Sequence, residues 1–269
     1  MGQSTPGYDA LYRQFDSPLM KALREEAYGE DIGQHSWVTA DQLRSDIVRL
    51  ELGAGRRLLD LGCGPGGPLV FAVMSTGCHG IGLELSVSAI ESARARGRDA
   101  GVAARLEFVQ ADLDQALPSG CAPVDAAMSL DVVLHLRDRA RFLCELVALL
   151  RPGARLLFSD AGVVSGAVSN IELQRRSSHG FTQFVPPGFN ERTIAAAGLE
   201  LLDTEDRTAS VSRNALGRLH AMERHPDALA ATVGEPAVAD QMAYLETAAE
   251  LAERRALTRW MYLAARRHG

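Results

Sequence analysis

A glycine-rich turn near residue 60 carries the strongest chemical signal in the chain. The segment LLDLGCGPGG places Asp60 at the end of an apolar run and Gly62, Gly64 and Gly66 in the turn that follows. Glycine permits positive φ and lets a ligand reach the backbone with no Cβ atom in the way. Since ligands of parallel sheets bind at the carboxyl ends of the strands, this segment predicts a nucleotide-type site.

Two more carboxylates end later apolar runs. Glu84 closes HGIGLE and Asp112 closes LEFVQAD. A carboxylate about 20 residues after the turn suits a ribose diol. The run of residues 62–67 also satisfies GxGxxG, so an NAD-binding oxidoreductase stays an alternative. Asp60 argues against that alternative, because a carboxylate inside the strand end would meet a cation or a hydroxyl.

Histidine supplies the candidate general base. An imidazole titrates near ~6.5 and can exchange a proton at neutral pH. His135 follows a predicted strand, at the edge where a ligand would bind, and a packing role under the ligand is its alternative. His179 lies beside Phe181 in a segment rich in Ser, Gly and Pro, and could approach from above or be an ordinary surface-loop residue.

The elements that must position these residues alternate between short apolar runs and amphipathic stretches, which predicts βαβ units in a doubly wound α/β sheet. The predicted strands are 56–61, 79–85, 106–112, 124–130, 154–161, 199–205 and 258–266. The predicted helices are 8–27, 40–50, 68–76, 87–100, 139–150, 171–176, 191–197, 212–225 and 236–255. Thr39 with Gln42 predicts a capping box, and Ser86 and Asn190 are predicted N-caps. Pro152 and Gly153 are predicted to end the helix before them.

Residues 1–269 are predicted to form a single domain. Residues 1–50 form an N-terminal helical cap, 51–161 the ligand-binding core, and 162–197 with 207–256 insertions on the acceptor side. A long irregular segment inside a compact domain usually covers a site.

Composition excludes several classes of protein. The net charge is −6, with one lysine, Lys21, and an excess of acid argues against a protein that coats nucleic acid. No apolar run approaches the ~18–20 residues needed to span a bilayer, and the N-terminus does not resemble a signal peptide. The four cysteines lie far apart with no CxxC pair, which favours free thiols in the cytoplasm and no metal site.

Together, LDLGCGPGG, GLELS, QADL, SLDVVLHL and LRPGARLLFSD resemble the class I S-adenosylmethionine-dependent methyltransferases. The resemblance covers residues 56–161, and LELLDTE with TRWMYLAAR matches the final antiparallel pair of that family. It implies a Rossmann-like, seven-stranded, mostly parallel sheet, with S-adenosylmethionine as cofactor and S-adenosylhomocysteine as product.

The resemblance also implies roles for particular residues. Asp60 would lie beside the amino-acid end of the cofactor, Glu84 would hold the ribose hydroxyls, and Asp112 would accept from the adenine amino group. His135 and His179 are the candidate catalytic residues. The implied cofactor contacts are Tyr28, Gln34, Trp37, Asp60, Gly62, Cys63, Gly64, Gly66, Glu84, Leu85, Asp112, Leu113, Leu130 and His135.

The resulting hypothesis is methyl transfer to O, N or C of a small organic acceptor in secondary metabolism, by a monomer or homodimer. Nucleic-acid and membrane partners are not expected, since SLDVVLHL stands where base-amine methyltransferases carry an NPPY-like tetrapeptide. A protein of this fold that binds the cofactor without methyl transfer, as a cyclase or a regulator, is the alternative beside the NAD-dependent oxidoreductase.

Overall fold

A computed structural model describes residues 12–121, 123–177 and 180–268. Its centre is a seven-stranded sheet of order β3-β2-β1-β4-β5-β7-β6, in which β7 runs antiparallel to both neighbours and the other pairs are parallel. The strands are β1 Arg57–Leu61, β2 His79–Glu84, β3 Leu106–Gln110, β4 Val124–Leu130, β5 Leu150–Val164, β6 Leu199–Asp206 and β7 Leu257–Arg266. The predicted doubly wound sheet with a final antiparallel pair is confirmed.

Helices cover both faces of the sheet and its carboxyl edge. Those of the described residues are α1 Pro18–Tyr28, α2 Ala40–Arg49, α3 Gly67–Thr76, α4 Val87–Asp99, α5 Arg139–Leu149, α6 Asn170–Arg176, α7 Phe189–Ala196, α8 Thr208–Arg224, α9 Pro226–Val233 and α10 Glu235–Glu253. A short 3-10 helix, Val133–His135, follows β4.

Local capping explains where several helices begin. Thr39 and Gln42 form the predicted capping box at the start of α2, with Gln42 N donating to Thr39 Oγ1 at 3.2 Å. Ser86 caps α4 as predicted. The first helix was predicted to span 8–27. Residues 8–11 lie outside the described residues, 12–14 are helical, and after a turn at 15–17 α1 begins at Pro18 behind the N-cap Ser17. Proline suits that position because its missing N–H is one that has no intrahelical partner.

Other sequence predictions also differ from the structure. β5 begins at Leu150, so Pro152 and Gly153 lie within the strand, where the pairing with β4 shifts register. Asn190 does not cap α7, which begins at Phe189 after Gly188 in the left-handed region (φ 80°). Helix α9 was not predicted, because its eight residues are too few to establish a helical period.

The core has three parts. One face of the sheet packs Phe158 and Tyr262 under α5 and α7, and the other packs Leu58 and Met261 under α2, α3 and α4. A third cluster joins α1, α8 and α10 around Trp37. Among the described residues, no helix combines the length and the apolar character that crossing a membrane requires.

Candidate active site

A cavity of about 390 Å³ opens at the carboxyl ends of the parallel strands. One half of its wall comes from the loops after β1, β2, β3 and β4. The other half, called here the cap-side half, comes from the segment between α1 and α2, from α6, α8 and α10, and from the segment that follows α6. Its residues are His35, Ser36, Trp37, Arg176, Phe181, Arg218, Gln241 and Tyr244.

The glycine turn after β1 forms the floor of the cavity. Gly62 and Gly64 line it with φ of 79° and 54°, a region that side chains rarely adopt, and the buried Cys63 lies between them. A Cβ atom on Gly62 would lie 2.7 Å from the side chain of Val132. Both glycines are therefore required by the backbone conformation of the turn.

Gly66 packs against α4. It is not among the residues that line the cavity, and a Cβ atom there would lie 2.7 Å from Cβ of Ala93. Gly66 therefore permits close packing of the turn against α4, and its contact with the cofactor stays a prediction.

Glu84 is held by the backbone at the end of β2. Its Oε2 accepts from Gly64 N at 3.0 Å and its Oε1 accepts from Ser86 N at 2.9 Å. A carboxylate oxygen acts only as an acceptor, so this is the type of group that receives ribose hydroxyls, and here it also braces the glycine turn.

Asp60 lies at the end of β1 and is 2% exposed. Burial, with a smaller contribution from the nearby charge of Glu84, raises the pKa of Asp60 to about 8. Within the described part of the chain no hydrogen bond offsets this rise, although Asp60 lines the cavity. A buried carboxyl with a raised pKa that faces a cavity is suited to receive a cationic group, such as the amino group of a methionine moiety.

The loop after β3 supplies the next part of the wall. Asp112 and Leu113 line the cavity, and Oδ1 of Asp112 accepts from Asp114 N at 2.9 Å. This Asx turn fixes the direction of the carboxylate. Leu85 and Leu130 also line the cavity, so the structure brings these four predicted residues together.

The N-terminal segment brings one of its three predicted residues to the cavity wall. Trp37 lines the cavity and is 5% exposed. Gln34 lies outside the wall, with Oε1 accepting from Ile32 N and Nε2 donating to Glu30 O. Tyr28 is also outside and donates to Ser36 O at 3.1 Å. These two side chains brace the segment, and their direct contact with the cofactor stays a prediction.

His135 lies in the wall directly after β4, with Nδ1 2.9 Å from the carbonyl oxygen of Phe181. Burial lowers the pKa of His135 from its usual 6.5. Phe181 lines the cavity under the guanidinium of Arg137, 4.5 Å from its ring centroid. His179 lies outside the described residues.

Asp131 was missed by the sequence reasoning. It has φ 58°, lines the cavity, and accepts from Trp37 N at 2.9 Å and from Nε of the fully buried Arg259 at 2.8 Å. Its place directly after β4 was a signal that could have identified it. Tyr12, Arg176, Arg218 and Tyr244 were also missed, and no local motif marks them.

The first turn of α3 distinguishes this site from the dinucleotide sites of other α/β folds. A Cβ atom on Gly67 would lie 2.2 Å from Gly33 O and 2.3 Å from Ile32 O, so backbone carbonyls cover that turn. Dinucleotide folds place the pyrophosphate at this helix N-terminus, and carbonyl oxygens would exclude it. In residues 12–121, 123–177 and 180–268 no group of three or more His, Cys, Asp or Glu side chains could hold a metal ion.

Comparison with known proteins gives a consistent result. Residues 59–158 match the family model described as "Methyltransferase domain". The chain is 30% identical over 197 residues to methyltransferase GfsG of Streptomyces halstedii, covering 71% of this chain and 68% of that protein. It is 29% identical over 212 residues to 27-O-demethylrifamycin SV methyltransferase of Amycolatopsis mediterranei, covering 74% of each.

A third relative is the ubiquinone biosynthesis O-methyltransferase of Aromatoleum aromaticum, 29% identical over 167 residues, or 59% of this chain and 70% of that protein. Among solved structures, the cyclopropane synthase MmaA2 from Mycobacterium tuberculosis superposes with a TM-score of 0.81 at 18% identity, covering 98% of this chain and 100% of that one. At that identity the likeness concerns the fold.

Proposed function

Because this chain belongs to the class I S-adenosylmethionine-dependent methyltransferases, we propose that it methylates a hydroxyl oxygen of a small organic acceptor, with His135 as general base. The observation that carries the proposal is the hydrogen bond between His135 Nδ1 and the carbonyl oxygen of Phe181, on the cavity wall. Two relatives named for O-methylation support the choice of oxygen over nitrogen or carbon.

The residues present fit the cofactor. Gly62 and Gly64 leave the floor of the cavity free of side chains, and Glu84 offers two fixed carboxylate oxygens for the ribose. Asp60 would receive the amino group, since its buried carboxyl is influenced by burial and by the charge of Glu84, with no hydrogen bond among the described residues to stabilise its charge. Asp112 and Leu113 would hold the adenine. S-adenosylmethionine supplies an electrophilic methyl group on a sulfonium, so the chain need only orient the acceptor and manage a proton.

His135 is set up to take that proton. The carbonyl oxygen of Phe181 can only accept, so Nδ1 carries the proton and Nε2 carries the lone pair. The lowered pKa keeps the imidazole neutral at pH 7. A neutral imidazole accepts the proton of an acceptor hydroxyl as its oxygen becomes nucleophilic.

Water exclusion would come from the segment that follows α6. Gln183 N donates to Leu134 O at 2.7 Å, and Nη2 of Arg139 donates to Gln183 O at 2.7 Å. These bonds tie the Phe181 side of the cavity to the loop after β4, so the aromatic wall is held where it can shield the reacting groups.

We place the acceptor in secondary metabolism, because one relative is named for a rifamycin precursor and another comes from Streptomyces. The competing proposal is a quinone-type precursor of primary metabolism, because another relative is named for ubiquinone biosynthesis. Both groups of acceptor would present a hydroxyl to the base.

The test is transfer of a labelled methyl group from S-adenosylmethionine to three matched probes: catechol, aniline and thiophenol. We expect label on the catechol oxygen, and we expect His135→Gln to lower that rate while the affinity for S-adenosylhomocysteine is kept. Label on aniline nitrogen alone, or an unchanged rate in the variant, would overturn the O-methylation proposal.

A further inference from the structure

Arg176 is a buried cation on the cavity wall that the proposed reaction does not use. It is 5% exposed, and its Nε and Nη1 have no hydrogen-bond partner. It also forms no ion pair within the described part of the chain. Burial of a guanidinium whose N–H groups lack acceptors is unfavourable in free energy. Because Arg176 lies on a cavity wall, a bound ligand could supply the missing acceptor.

Aromatic rings fix the position of this guanidinium. Its central carbon lies 4.7 Å from the ring centroid of Tyr244 and 5.7 Å from that of Trp37. The two rings are stacked, with centroids 6.3 Å apart and planes 13° apart. Stacking on ring faces stabilises the cation and leaves the edge of the guanidinium, where the N–H groups are, for a partner in its plane.

A second cation, Arg218, lies on the same ring as Arg176. Its guanidinium carbon is 5.7 Å from the ring centroid of Trp37, and it lines the cavity. Within residues 12–121, 123–177 and 180–268, Arg218 forms no ion pair. It lies near the hydroxyl of Tyr28, a neutral group, and partly offsets the rise that burial causes in the pKa of that hydroxyl. Two guanidinium groups therefore converge on one wall.

Two carboxylates beside the cavity are already engaged by other arginines. Asp131 is paired with Arg259, with Nε to Oδ1 at 2.8 Å, and Asp160 is paired with Arg139, with Nη1 to Oδ2 at 2.6 Å. The positive charge of Arg176 and Arg218 is thus not balanced by these groups. The cap-side half carries an excess of positive charge, although the whole chain has a net charge of −6.

Trp37 is the one residue of the cap-side half that also belongs to the predicted cofactor contacts, and the arginines lie on other elements than the rest of those contacts. Arg176 ends α6, and Arg218 and Tyr244 lie on α8 and α10, whereas Glu84 and Asp60 end strands of the core. An anion at Arg176 would therefore belong to the acceptor.

We infer that the acceptor is an aromatic or unsaturated carboxylic acid whose carboxylate binds the edge of Arg176 while its body lies against Trp37, Tyr244 and Phe181. This inference rests on the proposed function and specifies its substrate class. A planar carboxylate matches the planar guanidinium in a bidentate pair, and the aromatic walls match a flat body.

The test titrates protein loaded with S-adenosylhomocysteine with 3,4-dihydroxybenzoate and with its neutral methyl ester, by calorimetry. We expect the acid to bind at least about tenfold more tightly than the ester. Arg176→Gln should remove that preference, and Arg176→Lys should restore part of it. Arg175→Gln is the matched control, because Arg175 is the exposed neighbour on the same helix and the variant loses the same charge.

Three results would overturn the inference. They are equal binding of acid and ester by the wild type, including no binding of either, an unchanged preference in Arg176→Gln, and a loss of S-adenosylhomocysteine affinity in that variant. The last would place Arg176 on the cofactor. Failure of the proposed function would give a different result: the acid would still bind more tightly than the ester, but the labelled-methyl assay would give no O-methyl product.

Discussion

The carboxylate of Asp131, at a residue with left-handed backbone, accepts a 2.8 Å hydrogen bond from Nε of Arg259, which is fully buried. The two residues are 128 positions apart. Ser159 Oγ also donates to Asp131 at 2.7 Å, and the other carboxylate oxygen holds Trp37 N. One ion pair thus connects β4, β5, β7 and the N-terminal segment beside the cavity.

Asp131→Asn should lower the free energy of unfolding by about 3–5 kcal/mol, because it leaves the charge of Arg259 buried without its partner. Asparagine tolerates the left-handed backbone, so the loss would come from the charge. The measurement is urea unfolding at pH 7. Asp203→Asn is the control, since that carboxylate is 52% exposed in its pair with Arg49 and should contribute less than ~1 kcal/mol. Equal effects in both variants would contradict a special role for the buried pair.

Gly64→Ala should raise the dissociation constant for S-adenosylhomocysteine at least tenfold. The substitution places a Cβ atom in the cavity and strains a backbone with φ 54°. Calorimetry measures the affinity. Gly53→Ala is the control, because a Cβ atom at Gly53 meets nothing within 4 Å. Wild-type affinity in Gly64→Ala would show that the ligand does not run along this turn.

Binding of S-adenosylhomocysteine at pH 7 should release a proton from Asp60. The pKa of Asp60 is about 8 in the ligand-free chain, so its carboxyl is mostly protonated at pH 7. A cationic amino group beside it lowers that pKa and favours the carboxylate. Calorimetry in buffers of different ionisation enthalpy measures the release, which Asp60→Asn should abolish. A binding enthalpy that is independent of the buffer would contradict the assignment.

The same carboxyl predicts a pH dependence of stability. Its pKa is raised from 3.8 in the unfolded chain to about 8 in the folded chain, so the folded state binds more protons between these values. The stabilising contribution is fully present below about pH 4 and is lost as pH rises to about 8. Urea unfolding of the ligand-free protein across this range should show a decline that is shallower in Asp60→Asn. Parallel curves would contradict the raised pKa.

The turnover rate should fall at acid pH as His135 is protonated. Since burial lowers the pKa of His135 from 6.5, this acid limb should lie below pH 6.5, with a plateau above it. His135→Gln should remove the limb and lower kcat by roughly 10²–10⁴-fold. His220→Gln, at an exposed histidine, is the matched control. A limb that persists in His135→Gln would assign the base to another group.

The sheet and half of the site could be predicted because their signals are local. The glycine turn, Glu84 and Asp112 are each defined by a strand end and the residues beside it, and the capping signals of Thr39 and Ser86 act over three residues. Patterns of this kind extend over a few neighbouring residues, so they indicate a strand, a helix or a turn without knowledge of the tertiary contacts.

The cap-side half was decided by tertiary structure alone. Arginine is a residue type found mostly at the surface, and Arg139, Arg176, Arg207 and Arg259 are nevertheless buried. Whether an arginine is buried depends on which helices pack over it and which carboxylates they bring, as with Arg207 and Asp46, 161 positions apart. The sequence by itself thus determined the sheet, the glycine turn after β1 and the position of His135. Only long-range packing placed Arg176 beside Trp37 and left its Nε and Nη1 without a hydrogen-bond acceptor, because no local pattern encodes those contacts.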